Sequence, residues 1–268
     1  MNRSLSVLRW AGSKRQILKE LLALYKISDP DLYIEPFLGS GSLLFSARPK
    51  SFVAIDNNWD LINFYEQLIT SPEEIYSEAT ALPREADIYY QLRSEYSTVE
   101  PKQKKAIIFF YLNRNCFNGI YRTNKSGQFN VPFSNNRVAA YPPLEQLISA
   151  SKTLKRGKLI CGDFCDLLRC DLSENTFVYL DPPYVTKNQR TFIEYGSSPF
   201  CQTSLFALKN LLLKLDKIKV KFALSYADVE EVQDLKTIWQ FDTTRLTRLV
   251  AGNAERRSSV NELIFHNL

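Results

Sequence analysis

Leu32-Tyr33-Ile34-Glu35-Pro36-Phe37-Leu38-Gly39-Ser40-Gly41-Ser42-Leu43-Leu44-Phe45 passes from an apolar run, through a turn with two glycines, into a helical pattern. Leu32-Tyr33-Ile34 reads as a short strand and Glu35 to Gly41 as the turn that leaves it, with a helix beginning near Ser42. A second run, Phe52-Val53-Ala54-Ile55, reads as the next strand and ends on Asp56. Strand, Gly-x-Gly turn and helix open a dinucleotide-binding type of unit, whose glycines let a ligand approach the backbone. Asp56 lies close to the roughly 20-residue spacing at which such units place an acid for ribose hydroxyls. A lone Gly-x-Gly is weak, but the flanking strands and the terminal acid point to a nucleoside-type cofactor.

Working outward, Thr176-Phe177-Val178-Tyr179-Leu180 is a β-branched and aromatic run that reads as a buried strand, and Asp181-Pro182-Pro183-Tyr184 follows it. Pro182 ends the ladder because it has no N–H to donate. An acid and an aromatic are thereby held just past a strand's carboxyl end, where open α/β sheets place their ligands. The carboxylate can accept hydrogen bonds from an amine, a neighbouring carbonyl can accept a second, and the Tyr184 ring can stack on a flat heterocycle. The tetrapeptide alone fits an Asx-Pro turn after a core strand as well.

Further strands are Leu159-Ile160-Cys161, leading into Gly162-Asp163-Phe164, and Val220 to Ser225, with a helix from about Thr203 to Leu215 before the latter. The chain then reads as two antiparallel strands, Thr243 to Leu249 and Ser259 to His266, around the polar loop Gly252 to Arg257. Val185 to Ser198 is a long polar loop. At the other end, Leu8-Arg9-Trp10-Ala11-Gly12-Ser13-Lys14 precedes apolar residues at helical spacing (Ile17, Leu18, Leu21, Leu22, Tyr25). Ser13 is expected to cap that helix, and Lys14 adds positive charge at its start. Trp10 fits plain core equally well.

From Leu61 to Ile108 the apolar spacing is helical, without strand–helix alternation. The expected organisation is a Rossmann-like α/β sheet with helices on both faces, made by residues 1–58 and 157–268. Residues 59–156 form a helical insertion within it. The insertion runs into Asn113-Arg114-Asn115-Cys116-Phe117-Asn118-Gly119-Ile120-Tyr121-Arg122 and Gly127-Gln128-Phe129-Asn130-Val131-Pro132-Phe133. Asn, Arg and aromatics between glycines suit a hairpin loop that reads DNA, since Arg pairs with guanine, Asn with adenine, and aromatics wedge between bases. A hairpin that packs its aromatics inward has the same composition.

With 268 residues, 45% of them hydrophobic, the chain can bury a large core. No apolar run approaches the roughly 20 residues of a membrane span, and the N-terminus lacks an apolar signal region; the expectation is a cytoplasmic protein. Five cysteines, an odd number, argue for reduced thiols. Cys161, Cys165 and Cys170 lack paired metal-ligand spacing and His266 is the single histidine, so no metal is expected. That histidine count also argues against Ser-His or Cys-His nucleophiles, leaving the acid–base or orienting work to a carboxylate. The net charge of +5 is uneven: Lys102 to Lys158 holds eleven Lys/Arg and one acid, Glu145, about +10 against about −5 for the rest. A basic segment in an acidic host suits a polyanion partner, or else a solvated basic face.

Taken in order, Arg9 to Lys14, Glu35 to Gly41, Asp56, Asn113-Arg114 with Phe117-Asn118-Gly119, Phe129 to Phe133, Gly162-Asp163-Phe164 and Asp181 to Tyr184 resemble the Dam-type DNA adenine-N6 methyltransferases. The likeness runs nearly end to end, in the motif order of that family's alpha subgroup. It implies S-adenosylmethionine as cofactor, with Trp10, Lys14, Phe37, Gly39 and Gly41 lining its methionine end. Asp56 would hold the ribose, Asp163 and Phe164 the adenine, and Asp181 would also contact the cofactor. It implies Asp181, Pro182 and Tyr184 as the groups that hold a flipped-out adenine. It implies DNA contacts from Arg9, Phe117, Asn118, Ile120 and Arg122, with Pro132 and Arg137 as further contacts.

Double-stranded DNA is then the partner, GATC the leading site by family habit, and a monomer the expected state. A different adenine site within a restriction-modification system, beside a cognate endonuclease, is the alternative. The chain departs from the family at Ser13, where glycine is common, and at Phe117, where tyrosine is frequent. Ser225-Tyr226-Ala227-Asp228 replaces a commoner Ser-Asn pair, and no role is assigned there. Methylation of cytosine N4, RNA adenine or a protein amide competes, although the basic insertion disfavours protein. An NAD-dependent dehydrogenase would leave Asp181 to Tyr184 unexplained, and a DNA-binding protein without catalysis would leave both motifs intact for no purpose.

Overall fold

The computed structural model describes residues 5–12, 14–135, 138–185, 200–249 and 257–268. Among these, seven strands form one sheet: β1 (Leu32–Glu35), β2 (Phe52–Asp56), β3 (Gly157–Cys161), β4 (Thr176–Leu180), β5 (Lys221–Ala227), β6 (Gln240–Leu249) and β7 (Arg257–His266). Their order is β3-β2-β1-β4-β5-β7-β6. The first five are parallel, and β7 enters antiparallel to both β5 and β6. The chain moves outward from β1 to β2 and β3, then returns to build β4 and β5 on the other side of β1. The order therefore reverses between β1 and β4, which opens a crevice at their carboxyl ends. Glu35 to Gly41 leaves one of those ends and Asp181 to Tyr184 the other.

Period-two alternation sends neighbouring strand residues to opposite faces. Tyr33, Phe52, Ala54, Phe177 and Tyr179 enter one core, and Ile34, Val53, Ile55, Val178 and Leu180 the other. The first core is covered by α1 (Leu18–Ser28), α2 (Ser42–Ala47) and the helices between β2 and β3. Those are α3 (Trp59–Thr70), α4 (Pro72–Ala81), α5 (Ala86–Glu95), α6 (Lys102–Asn115) and α7 (Leu144–Leu154). The second core is covered by α8 (Gln202–Lys217) through Leu205, Leu208, Leu211, Leu212 and Leu215. Helices thus flank both faces of the sheet, as expected. The helices of residues 59–154 share their apolar core with the sheet through residues such as Leu61, Phe64, Phe110 and Leu147.

Two element starts differ from the sequence reading. Helix α1 begins at Leu18, with Ile17 in the cap position and no side-chain cap. Ahead of it Ile17 N–H donates to the Lys14 carbonyl, and Ser13, the expected cap, lies outside the described residues. Strand β6 begins at Gln240 rather than Thr243, because its pairing with β7 continues to Gln240 opposite His266. The loops Val185 to Ser198 and Gly252 to Arg257 lie, apart from Val185 and Arg257, outside the described residues.

Candidate active site

At the end of β1 the chain makes a tight turn, with Gly41 N–H donating to the Leu38 carbonyl at 2.7 Å. Gly39 sits at φ +46°, and a Cβ there would lie 3.0 Å from the Trp10 ring. Only glycine gives that turn without strain and leaves Trp10 in place. Asp56, at the end of β2, holds the turn from the adjacent strand. Its carboxylate accepts from Gly39 N–H and from Asn58 N–H, each at 2.9 Å, and the Tyr65 hydroxyl donates to the Gly39 carbonyl at 3.1 Å. Burial raises the Asp56 pKa, and the two N–H donors oppose that rise. Glu35, one strand away, is buried and accepts from the Tyr33 hydroxyl at 2.8 Å. Burial pushes its pKa up to about 8, with Asp181 and Asp56 adding to the shift.

Beyond β4, Asp181 meets Lys14, whose ammonium lies 2.9 Å from Asp181 Oδ1 and 2.9 Å from Glu262 Oε1. Lys14 also donates to the Tyr184 hydroxyl at 2.8 Å, and that hydroxyl donates to Glu262 Oε1 at 2.7 Å. Burial alone would pull the Lys14 pKa down; the two carboxylates and the hydroxyl outweigh it and hold the ammonium above the ordinary lysine range. Tyr184 is held edge-on by Tyr226, with centroids 5.0 Å apart, while the Tyr226 hydroxyl accepts from Val185 N–H at 3.1 Å. The tyrosine ring is thus fixed at both its hydroxyl and its edge.

Glu35, Glu262 and Tyr226 are parts of this site that sequence reasoning did not assign. Glu35 was in view as the first residue of the Gly-x-Gly turn. Glu262 follows the polar Asn261 in a strand of mixed composition and carries no sequence signal of its own. Tyr226 lies within β5, in the stretch to which no role was assigned.

On the far side of the turn, Phe37 and Phe164 stack at 5.2 Å and 23°. Asp163, exposed, caps the helical turn that follows by accepting from Cys165 N–H, while Asp166 accepts from Asp163 N–H. Trp10, Gly39 and Asp56 therefore form one group, Lys14, Asp181 and Tyr184 a second, and Phe37 with Phe164 a third. Pro182 is buried beside the second group. The crevice carries the carboxylates of Asp56, Asp181 and Glu262 against one buried lysine, with Glu35 beside them holding its proton up to about pH 8. That donor set, with a glycine turn for close approach and aromatic faces beside it, fits a cationic nucleoside such as S-adenosylmethionine.

The residues between α6 and α7 form a narrow hairpin, with bridges Cys116 to Phe133 and Thr123 to Phe129. Asn113 ties the hairpin's base to Arg9, accepting from its N–H at 3.0 Å and donating to its carbonyl at 2.7 Å. Gly119, at φ +66°, packs so tightly on Arg9 that no Cβ would fit. The hairpin aromatics divide between the interior and the surface. Tyr121 and Phe129 pack inward, Tyr121 stacking on Trp10 at 5.7 Å, whereas Phe117 is 40% exposed. Asn118 is exposed, at φ +55°, and Ile120 packs partly against the core. Arg122 Nε donates to Asn130 Oδ1 at 2.7 Å, and Pro132 is exposed. Arg137 lies outside the described residues. Arg9 Nη1 is buried with no partner among the described residues. Among those residues no group of three His, Cys, Asp or Glu could hold a metal ion, and no helix is long and apolar enough to cross a membrane.

A switch-point crevice that joins a glycine turn to an Asp-Pro-Pro-Tyr corner defines a methyltransferase of the Rossmann-like class. Residues 10–247 match the family described as D12 class N6 adenine-specific DNA methyltransferase. The chain belongs to that family and is an adenine-specific DNA methyltransferase by that membership. It is 29% identical to a DNA adenine methylase of Serratia marcescens, over 98% of each chain. It is 32% identical to the Type II methyltransferase M.MjaIII of Methanocaldococcus jannaschii, over 81% of this chain and 82% of that one. It is 31% identical to the Retron Ec67 DNA adenine methylase of Escherichia coli, over 97% and 90%.

Proposed function

We propose that this protein uses S-adenosylmethionine to methylate the N6 amine of an adenine flipped out of duplex DNA, within GATC. The observation that carries the reading is the corner after β4. There, Asp181 and Tyr184 are held rigidly at the switch point, with the glycine turn of β1 beside them. Trp10, Lys14, Phe37, Gly39, Gly41, Asp56, Asp163, Phe164 and Asp181 would hold the cofactor, which supplies an activated sulfonium methyl when bound.

An adenine amine inside a duplex is paired and out of reach, so the base has to leave the stack, at a cost of about a few kcal/mol. Stacking on Tyr184 returns roughly 1–3 kcal/mol of that. The amine lone pair is delocalised into the ring, which makes it a poor nucleophile. Hydrogen bonds from the amine to the Asp181 carboxylate and the Pro182 carbonyl draw the nitrogen toward tetrahedral geometry. A carboxylate has acceptor sites enough for both Lys14 and an amine. As positive charge develops on the nitrogen, the preorganised Asp181 stabilises it more than it stabilises the neutral amine.

Phe117, exposed on the hairpin, would wedge between bases, and Arg9, Asn118, Ile120, Arg122, Pro132 and Arg137 are the proposed DNA contacts. The unpartnered Nη1 of Arg9 supports a base or phosphate as its partner. The helices and hairpin of residues 59–156 are proposed as the recognition unit, acting on DNA as a monomer in the cytoplasm. The name of one relative, a Type II methyltransferase, favours a second reading, in which the same chemistry modifies another adenine site beside a cognate restriction endonuclease. Thermal unfolding with S-adenosylmethionine and with NAD tests the cofactor: the account expects a rise in Tm with the first alone, and a rise with NAD alone would refute it.

A further inference from the structure

Glu262 stands on β7, opposite Ala227 of β5, and its side chain is wholly buried. Because β7 runs antiparallel, its early residues lie at the same sheet edge as the carboxyl ends of β4 and β5. One buried ammonium, Lys14, is shared at 2.9 Å by Glu262 and Asp181, and Glu262 also receives the Tyr184 hydroxyl at 2.7 Å. Two carboxylates thus share one ammonium, and each receives only part of its charge. Without the second carboxylate, Lys14 would pair with Asp181 alone and cancel its charge.

We propose that Glu262 is a positioning residue for methyl transfer: it divides Lys14 with Asp181, so that Asp181 keeps negative charge for the target amine, and it anchors the Tyr184 hydroxyl. This rests on the function proposed above. Interior charges act through a low effective dielectric, so a change of one unit here is felt at the reacting nitrogen. Gln in place of Glu keeps the shape and an acceptor for Tyr184 but loses the charge. Asp keeps the charge and is shorter by one methylene.

The test compares wild type, Glu262→Gln and Glu262→Asp for kcat at saturating cofactor, KM for duplex DNA, and Tm. Calorimetric binding of S-adenosylmethionine and of its neutral product S-adenosylhomocysteine is measured alongside. The proposal expects E262Q to lose kcat by about thirty-fold or more with KM for DNA within about three-fold, and E262D to retain more kcat than E262Q. It also expects the preference for the cationic over the neutral ligand to fall several-fold in E262Q and to persist in E262D. E262Q as active as wild type, or more active than E262D with an unchanged ligand preference, overturns it. Should E262Q fail to fold, Glu262→Asp carries the test alone, because it keeps the charge and shortens its reach to Lys14 and Tyr184. A fall in its kcat of about three-fold or more, with the preference for the cationic ligand kept, supports the positioning role, and wild-type kcat refutes it. Wild type that transfers no methyl to adenine would instead refute the proposed function itself.

Discussion

Asp181 is the residue on which the chemistry turns. In Asp181→Ala, Lys14 still has Glu262 and Tyr184, so no buried charge is stranded. The variant is expected to fold, with Tm within a few degrees of wild type, and to lose turnover by about 10³-fold, the scale of removing one preorganised electrostatic contact. Normal turnover in a methyl-transfer assay would sink that role. Glu35 gives a pH signature. Burial raises its pKa to about 8, so the folded state holds the proton more tightly than the unfolded one. The stability this lends is present below the ordinary carboxylate range and is lost as pH rises toward 8. In the cofactor-free protein, Glu35→Gln should therefore match wild type near pH 4.5 and exceed it in Tm at pH 9; equal Tm values at both would contradict the assignment. At this scale the motif residues were legible because Gly, Pro and Asp carry backbone or charge constraints wherever they occur. Glu262 was not, because an acid within a strand declares nothing until Lys14, some 250 residues earlier in the chain, is seen beside it.

Elements place those residues, and the turn after β1 is the tightest constraint. Gly39→Ala should destabilise by about 1–2 kcal/mol, the cost of a left-handed residue with a Cβ, and should also weaken S-adenosylmethionine binding, because the Cβ meets Trp10 at 3.0 Å. Gly127→Ala, at φ +75° with nothing within 4 Å, is the control: comparable backbone strain, unchanged cofactor affinity by calorimetry. Equal affinities in the two variants would remove Trp10 and Gly39 from the cofactor site. Strand and helix positions were readable from periodicity and from β-branched runs, which is local information. The pairing of β1 with β4 is a long-range fact that no local pattern states. Within the hairpin, composition could not say which aromatic turns inward; the bridges from Cys116 to Phe133 and from Thr123 to Phe129 decide it, burying Tyr121 and leaving Phe117 outside.

Across the whole molecule, charge is divided between an acidic crevice and a basic segment, Lys102 to Lys158, of about +10. Binding of a duplex should therefore weaken steeply with salt, since each neutralised phosphate contributes a slope of about −0.9 in log K against log salt. A slope near zero in a titration from low to moderate salt would place the basic segment away from DNA. The sheet supports both regions at once: the crevice lies at the β1–β4 switch point, and the hairpin is tied to the same edge through Arg9, Trp10 and Lys14. Transfer of labelled methyl from S-adenosylmethionine to two duplexes that differ only in one GATC tests this arrangement as a whole. The account predicts label on adenine N6 in the GATC duplex alone. Equal label in both would discard GATC, and no label in either, with folded protein, would contradict the account.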